Sequence, residues 1–138
     1  MFTLVGAGVV PLALTPINAA AAPQPTGGYS QSIEIQGGKR LLFVSGQIPE
    51  TPSGAVPKTF EEQARLVWSN LIAQLHAANM TVENLVKVTT YLSSREYADL
   101  NGTVRRQALG SHAPAITVII AGIYSETWLV EIEAIAAA

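Results

Sequence analysis

Two glutamates stand two residues apart in the run Val130-Glu131-Ile132-Glu133-Ala134-Ile135-Ala136. In an extended strand such residues share a face, so both carboxylates point the same way. A carboxylate beside an apolar wall has a raised pKa and can serve as a general base; on a solvated face it is only a charge. Arg105-Arg106 is an adjacent guanidinium pair. Such a pair can bind an anion, or it can simply solvate one side of a helix. His112 can act as a base near neutral pH. His76 falls late in an apolar-striped segment, where a cation suits a helix C-terminus, and it reads as structural. The chain has no cysteine, which excludes a disulfide framework, a thiolate zinc site and a cysteine nucleophile. No metal-spaced His/Glu grouping, nucleophile elbow or phosphate-cradling glycine loop occurs. No metal and no cofactor are therefore expected.

The elements that carry these residues follow from periodicity. Residues 32–36 alternate, with Ile33 and Ile35 on one side, and Gly37-Gly38 is a two-residue hairpin signal. Residues 41–45 form a nearly continuous apolar strand, ended by Gly46-Gln47-Ile48-Pro49. Residues 59–79 predict a helix: Phe60, Ala64, Val67, Leu71, Leu75 and Ala78 recur at steps of three and four. Thr59 with Glu62 opens it as a capping box, and Asn79 closes it in the left-handed region. Residues 85–92 are rich in β-branched side chains and predict a strand. Residues 94–109 fit a second helix, closed by Gly110, and residues 115–121 and 128–136 predict two more strands. The order β-β-β-α-β-α-β-β indicates an α+β domain over residues 1–138, with both helices on one face of a mixed sheet. The strands supply apolar residues on both faces, so a partner subunit is the simplest cover for the other one.

Composition narrows the partners. Charged residues make up only 13% of the 138 and hydrophobic ones 49%, against about 25% charged in an ordinary soluble domain. The eight basic residues are scattered and the net charge is −2, so there is no basic stripe of the kind nucleic acid requires. Residues 1–33 contain no charged side chain. Without Lys or Arg before the apolar run they make a poor signal peptide, and Gly6, Gly8, Pro11, Pro16 and Asn18 break any membrane span. The first 25 residues are expected to be a short strand (residues 2–5) and a loop, in a cytoplasmic protein without membrane contact.

Four blocks together resemble the RidA (YjgF, reactive intermediate imine deaminase, endoribonuclease L-PSP) family. They are Gly28-Tyr29-Ser30-Gln31, Leu42-Phe43-Val44-Ser45-Gly46-Gln47-Ile48-Pro49, Val86-Lys87-Val88-Thr89-Thr90-Tyr91-Leu92 with the segment to Asn101, and the Glu131 run itself. The resemblance begins near Thr26 and implies a chorismate-mutase-like fold. It implies a homotrimer whose sheets line a central barrel, with small-molecule clefts between subunits. Active members hydrolyse imines and enamines such as 2-aminoacrylate without a cofactor.

The same resemblance assigns candidate site residues. Glu131 matches the carboxylate that positions water, Tyr29 the tyrosine that closes over the ligand, and Ser45 and Gly46 the cleft floor. Active members grip the substrate carboxylate with an arginine just after a Pro-Ala pair. Here the stretch reads His112-Ala113-Pro114-Ala115-Ile116-Thr117, so Ile116 stands where that arginine belongs. The expectation is a metabolite-binding trimer whose imine deamination is weak or absent. Two alternatives stay open: a deaminase of a different imine, with Arg105, Arg106 or His112 binding the anion, and a purely structural or partner-binding trimer. The endoribonuclease label is not expected to describe this chain, which has no His/Lys pair placed for RNA cleavage.

Overall fold

The structure is a computed structural model that describes Gly8 and residues 10–138. Among the described residues the order is β1 (Ala13–Ile17), β2 (Ser32–Gln36), β3 (Leu41–Gln47), α1 (Phe60–Ala77), β4 (Leu85–Leu92), α2 (Ala98–Leu109), β5 (Ala115–Ile120) and β6 (Val130–Ala137). Four strands form one mixed sheet in the order β3-β6-β4-β5. β6 is antiparallel to both neighbours, and β4 runs parallel to β5. Parallel neighbours need a long crossover, and α2 supplies it. Both helices cover one face of the sheet, so the α+β architecture is as the element order indicates.

The core lies between α1 and that face. Phe60, Ala64, Val67, Leu71 and Leu75 are all buried, and they meet Val88, Leu92, Val130, Ile132 and Ala134 from β4 and β6. The Thr59 hydroxyl accepts the Glu62 N–H at 3.3 Å and donates to the Glu62 carboxylate at 2.8 Å. Asn79, at φ 57°, turns the chain out of the helix. Gln63 is 1% exposed. Its side-chain NH₂ donates to Pro57 O and Thr127 O, and its carbonyl accepts Leu129 N–H. A buried amide needs such a full set of partners. The second helix starts later than its periodicity suggests: a 3-10 turn, Arg95–Tyr97, capped by Ser94, precedes α2.

The strand expected at residues 2–5 lies outside the described residues, and the rest of the N-terminal third departs from expectation in two ways. The stretch read as loop contains β1, which pairs antiparallel with β2 from Ala13↔Gln36 to Ile17↔Ser32. Pro16 is tolerated there because a two-stranded ribbon leaves it an edge. Finally, no hairpin forms between β2 and β3. Gly37 and Gly38 do turn the chain, at φ 68° and 76°. The carbonyls of Val10 and Pro11, however, fill the space a Gly37 side chain would need. Lys39 and Arg40 then donate their N–H groups to Ala138 O at 2.7 and 2.8 Å, committing β3 to β6. Among the described residues the six strands thus divide into a two-stranded ribbon and a four-stranded sheet.

Candidate functional site

The candidate residues gather into two groups. The first lies on the sheet face away from the helices. Between Val44↔Ala134 and Gln47↔Ile132 the register of β3 against β6 shifts, so Ser45 and Gly46 together oppose Glu133. This bulge bends the strand end. It brings the Gly46 backbone against the Glu131 carboxylate so closely that any Cβ at position 46 would collide with it. A larger residue at position 46 would make the Glu131 side chain swing aside, so glycine here lets the carboxylate keep its place. Glu131 is half-buried. Burial, and then the charge of Glu133, raise its carboxyl above the ordinary range. Glu133 accepts the Tyr91 hydroxyl at 2.8 Å. Beside this group, Phe43, Ser45, Lys87, Thr89, Glu133 and Ile135 wall a hollow of about 320 Å³.

The second group lies at the outer edge of β5. Buried Ser30 bonds there through its N–H to Pro114 O (3.0 Å) and through its hydroxyl to Ala113 O (2.6 Å). That anchors Tyr29 and Gly28 beside α2. The Gly28 Cα faces the side chains of Arg105 and Arg106, with contacts of about 4 Å for a Cβ there. Arg105 is half-buried and Arg106 exposed. Desolvation, then the neighbouring Arg106 charge, lower the Arg105 guanidinium pKa. Both arginines line a hollow of about 430 Å³, together with Asp99, Asn101 and Val118.

Two candidates take other places. Ile116 pairs with Val88, so it shares the helix-covered face and packs against the core. His112 has one ring nitrogen 2.7 Å from Leu85 O, where it ties the turn before β5 to the start of β4. Within one chain, therefore, Glu131, Ser45 and Gly46 stand on one face, and Arg105, Tyr29 and Ile116 belong to the other side and edge. Asn101 did not stand out from sequence. The signal was its spacing: it lies four residues before Arg105 and so shares its helix face. Among the described residues no cluster of three metal-ligating side chains occurs, and no helix is long and apolar enough to cross a membrane.

Comparison with known proteins agrees with this fold. The family model described as Endoribonuclease L-PSP matches residues 19–138. A RutC family protein from Pyrococcus horikoshii is 36% identical over 118 residues, which cover 83% of this chain and 90% of the relative. The crystal structure of E. coli TdcF with bound serine superposes with a TM-score of 0.68 at 29% identity, covering 90% of this chain and 98% of that one. RidA from the Antarctic bacterium Psychrobacter sp. gives a TM-score of 0.69 at 25% identity, over 90% of this chain and 99% of its own. With the family model spanning residues 19–138 and a relative 36% identical over most of both chains, this chain belongs to the RidA (YjgF, endoribonuclease L-PSP) family.

Proposed function

We propose that this chain assembles as a RidA-type homotrimer whose inter-subunit clefts bind a small, partly apolar metabolite. On this reading the hydrolysis of 2-aminoacrylate-type imines is weak or absent. The observation that carries it is Ile116. Its side chain packs against the core beside Val88, and a hydrocarbon cannot donate the two parallel bonds that a guanidinium offers a carboxylate.

The division of the site supports a cleft shared between subunits. β4 separates β6 from β5, which sets Glu131 roughly 10 Å from the β5 edge and on the opposite face from Ile116. A neighbouring chain is the simplest means of bringing one subunit's Glu131 to another's Tyr29. The uncovered face also carries Phe43, 71% exposed, and Ile119, 44% exposed, and a face of this kind favours association. Serine bound to TdcF supports a ligand of a few heavy atoms. In the cleft Glu131, with its raised pKa, would hold water or a ligand proton, and Ser45 and Gly46 would form the floor. RNA has no place in this reading, since Arg105-Arg106 and Lys39-Arg40 are the only adjacent basic pairs. A cytoplasmic location goes with it.

The test is the decay of freshly generated 2-aminoacrylate, in which the enamine tautomerises to the imine, water adds to its C=N bond, and ammonia leaves to give the keto acid. The purified protein is expected to leave the spontaneous rate nearly unchanged, and Ile116→Arg to accelerate it. Clear acceleration by the unaltered protein, abolished by Glu131→Ala, would overturn the reading.

A further inference from the structure

We propose that Arg105, presented from α2 together with Asn101, is the anion receptor of this cleft, so that the ligand is a small carboxylate held from the helix wall instead of the strand wall. The inference rests on the cleft reading above and adds the ligand's charge and the residue that selects it.

Three observations carry it. First, Arg105 is half-buried, yet among the described residues it has no carboxylate within ion-pair distance; Arg65–Glu61 is the one salt bridge there. Its Nε is buried with no hydrogen-bond partner. A desolvated guanidinium left in that state is costly unless a ligand or water completes it. Second, Asn101 is only 3% exposed and lines the same hollow. Being four residues apart on α2, Asn101 and Arg105 project to one side. Third, Val118 lines this hollow and lies on the same face of β5 as Ile116, one pleat repeat or roughly 7 Å along the strand. The apolar strand wall that carries Ile116 therefore borders the hollow that holds Arg105.

The other charged and titratable groups around the hollow are Arg106, Asp99 and Tyr29. Arg106 is exposed, lies over Gly102 and reaches Thr103 Oγ1 at 3.5 Å. Asp99 balances one of the two positive charges, which leaves a surplus of one and suits a monoanion. Val118 offers apolar contact to the rest of the ligand. A carboxylate on a short apolar body matches these features, with Asn101 donating to the same group or to a neighbouring carbonyl.

Pyruvate and its uncharged methyl ester, titrated into the full-length protein and followed by NMR shift changes, test this. Pyruvate is expected to bind at least about tenfold more tightly than the ester, and Arg105→Met to remove that preference. Arg95→Met, at an exposed residue outside the hollow, should change pyruvate affinity less than about threefold, and Arg105→Met combined with Ile116→Arg should restore the preference. If both probes bind equally and Arg105→Met changes neither, the anion receptor is overturned while the cleft reading stands. If neither probe shifts any resonance of the unaltered protein, both fail. Circular dichroism of each variant separates lost binding from lost folding.

Discussion

The two faces of the β3-β6-β4-β5 sheet are made by the same strands and share no task. On β4, Val88, Thr90 and Leu92 turn toward the helices and are buried, and Lys87, Thr89 and Tyr91 turn away. On β6, Val130, Ile132, Ala134 and Ala136 are buried, with Glu131, Glu133 and Ile135 between them. Strand parity thus sorts hydrocarbon to the face the chain covers itself. To the other face it sends hydroxyls, both glutamates and a lysine whose Nζ reaches only the Thr117 hydroxyl, at 2.6 Å. The covered face holds the fold together. The open face keeps the groups that interact outward, with exposed Phe43 and Ile119 beside them.

That contrast can be broken in three places. Leu71 is fully buried under the sheet. Leu71→Ala should cost about 3 kcal/mol of stability in chemical denaturation, because it leaves a cavity that the packed helix closes only partly. Phe43→Asp, on the open face, should alter the stability of the isolated chain by no more than about 0.5 kcal/mol, the usual range for an exposed site. On the proposed assembly its effect should appear in light scattering, as a fall from trimer to monomer mass. A large loss of stability with the assembly intact would mean that the open face shares the work of the core.

The smallest effect concerns Glu131. Its folded pKa is raised, by burial first. Between the ordinary carboxylate value and the raised one, the folded state holds a proton that the unfolded chain has lost. Stability therefore falls as pH climbs through that window, and the ionised group remains a net cost at neutral pH. Glu131→Gln should melt slightly higher than the unaltered protein at neutral pH, and the difference should vanish in acid below the ordinary carboxylate value. A lower melting temperature at neutral pH would instead make Glu131 a stabilising member of its surroundings.

Local signals foretold the elements whose partners they specify. The α1 stripe and its Thr59 start are visible because a helix satisfies its own backbone and declares its buried face every three or four residues. The β4 and β6 runs show equally well. Pairing was less legible. Gly37-Gly38 announces a turn but says nothing about which strand lies beyond it, and the partner of β2 came from the segment around Pro16 that composition marks as loop. The site divides in the same way. Motif likeness singles out Ser45, Gly46 and Glu131, but the bulge that presses Gly46 against Glu131 depends on the register of strands far apart in the chain. Arg105 and Arg106 look alike in sequence. Adjacent positions on a helix point about 100° apart, and only the packing of α2 decides which of them becomes half-buried.

The position of β6 has a consequence during synthesis. It is the last strand to be made in this domain, yet it sits between β3 and β4. As a ribosome extends the chain, β3, α1, β4, α2 and β5 all emerge first. Until β6 arrives, β3 has no partner in the sheet, and β4 is paired only along its β5 side. Exposed strand edges of this kind invite pairing with other nascent chains. The sheet can close only when the glutamate strand slides in, so the segment that carries Glu131 also completes the fold.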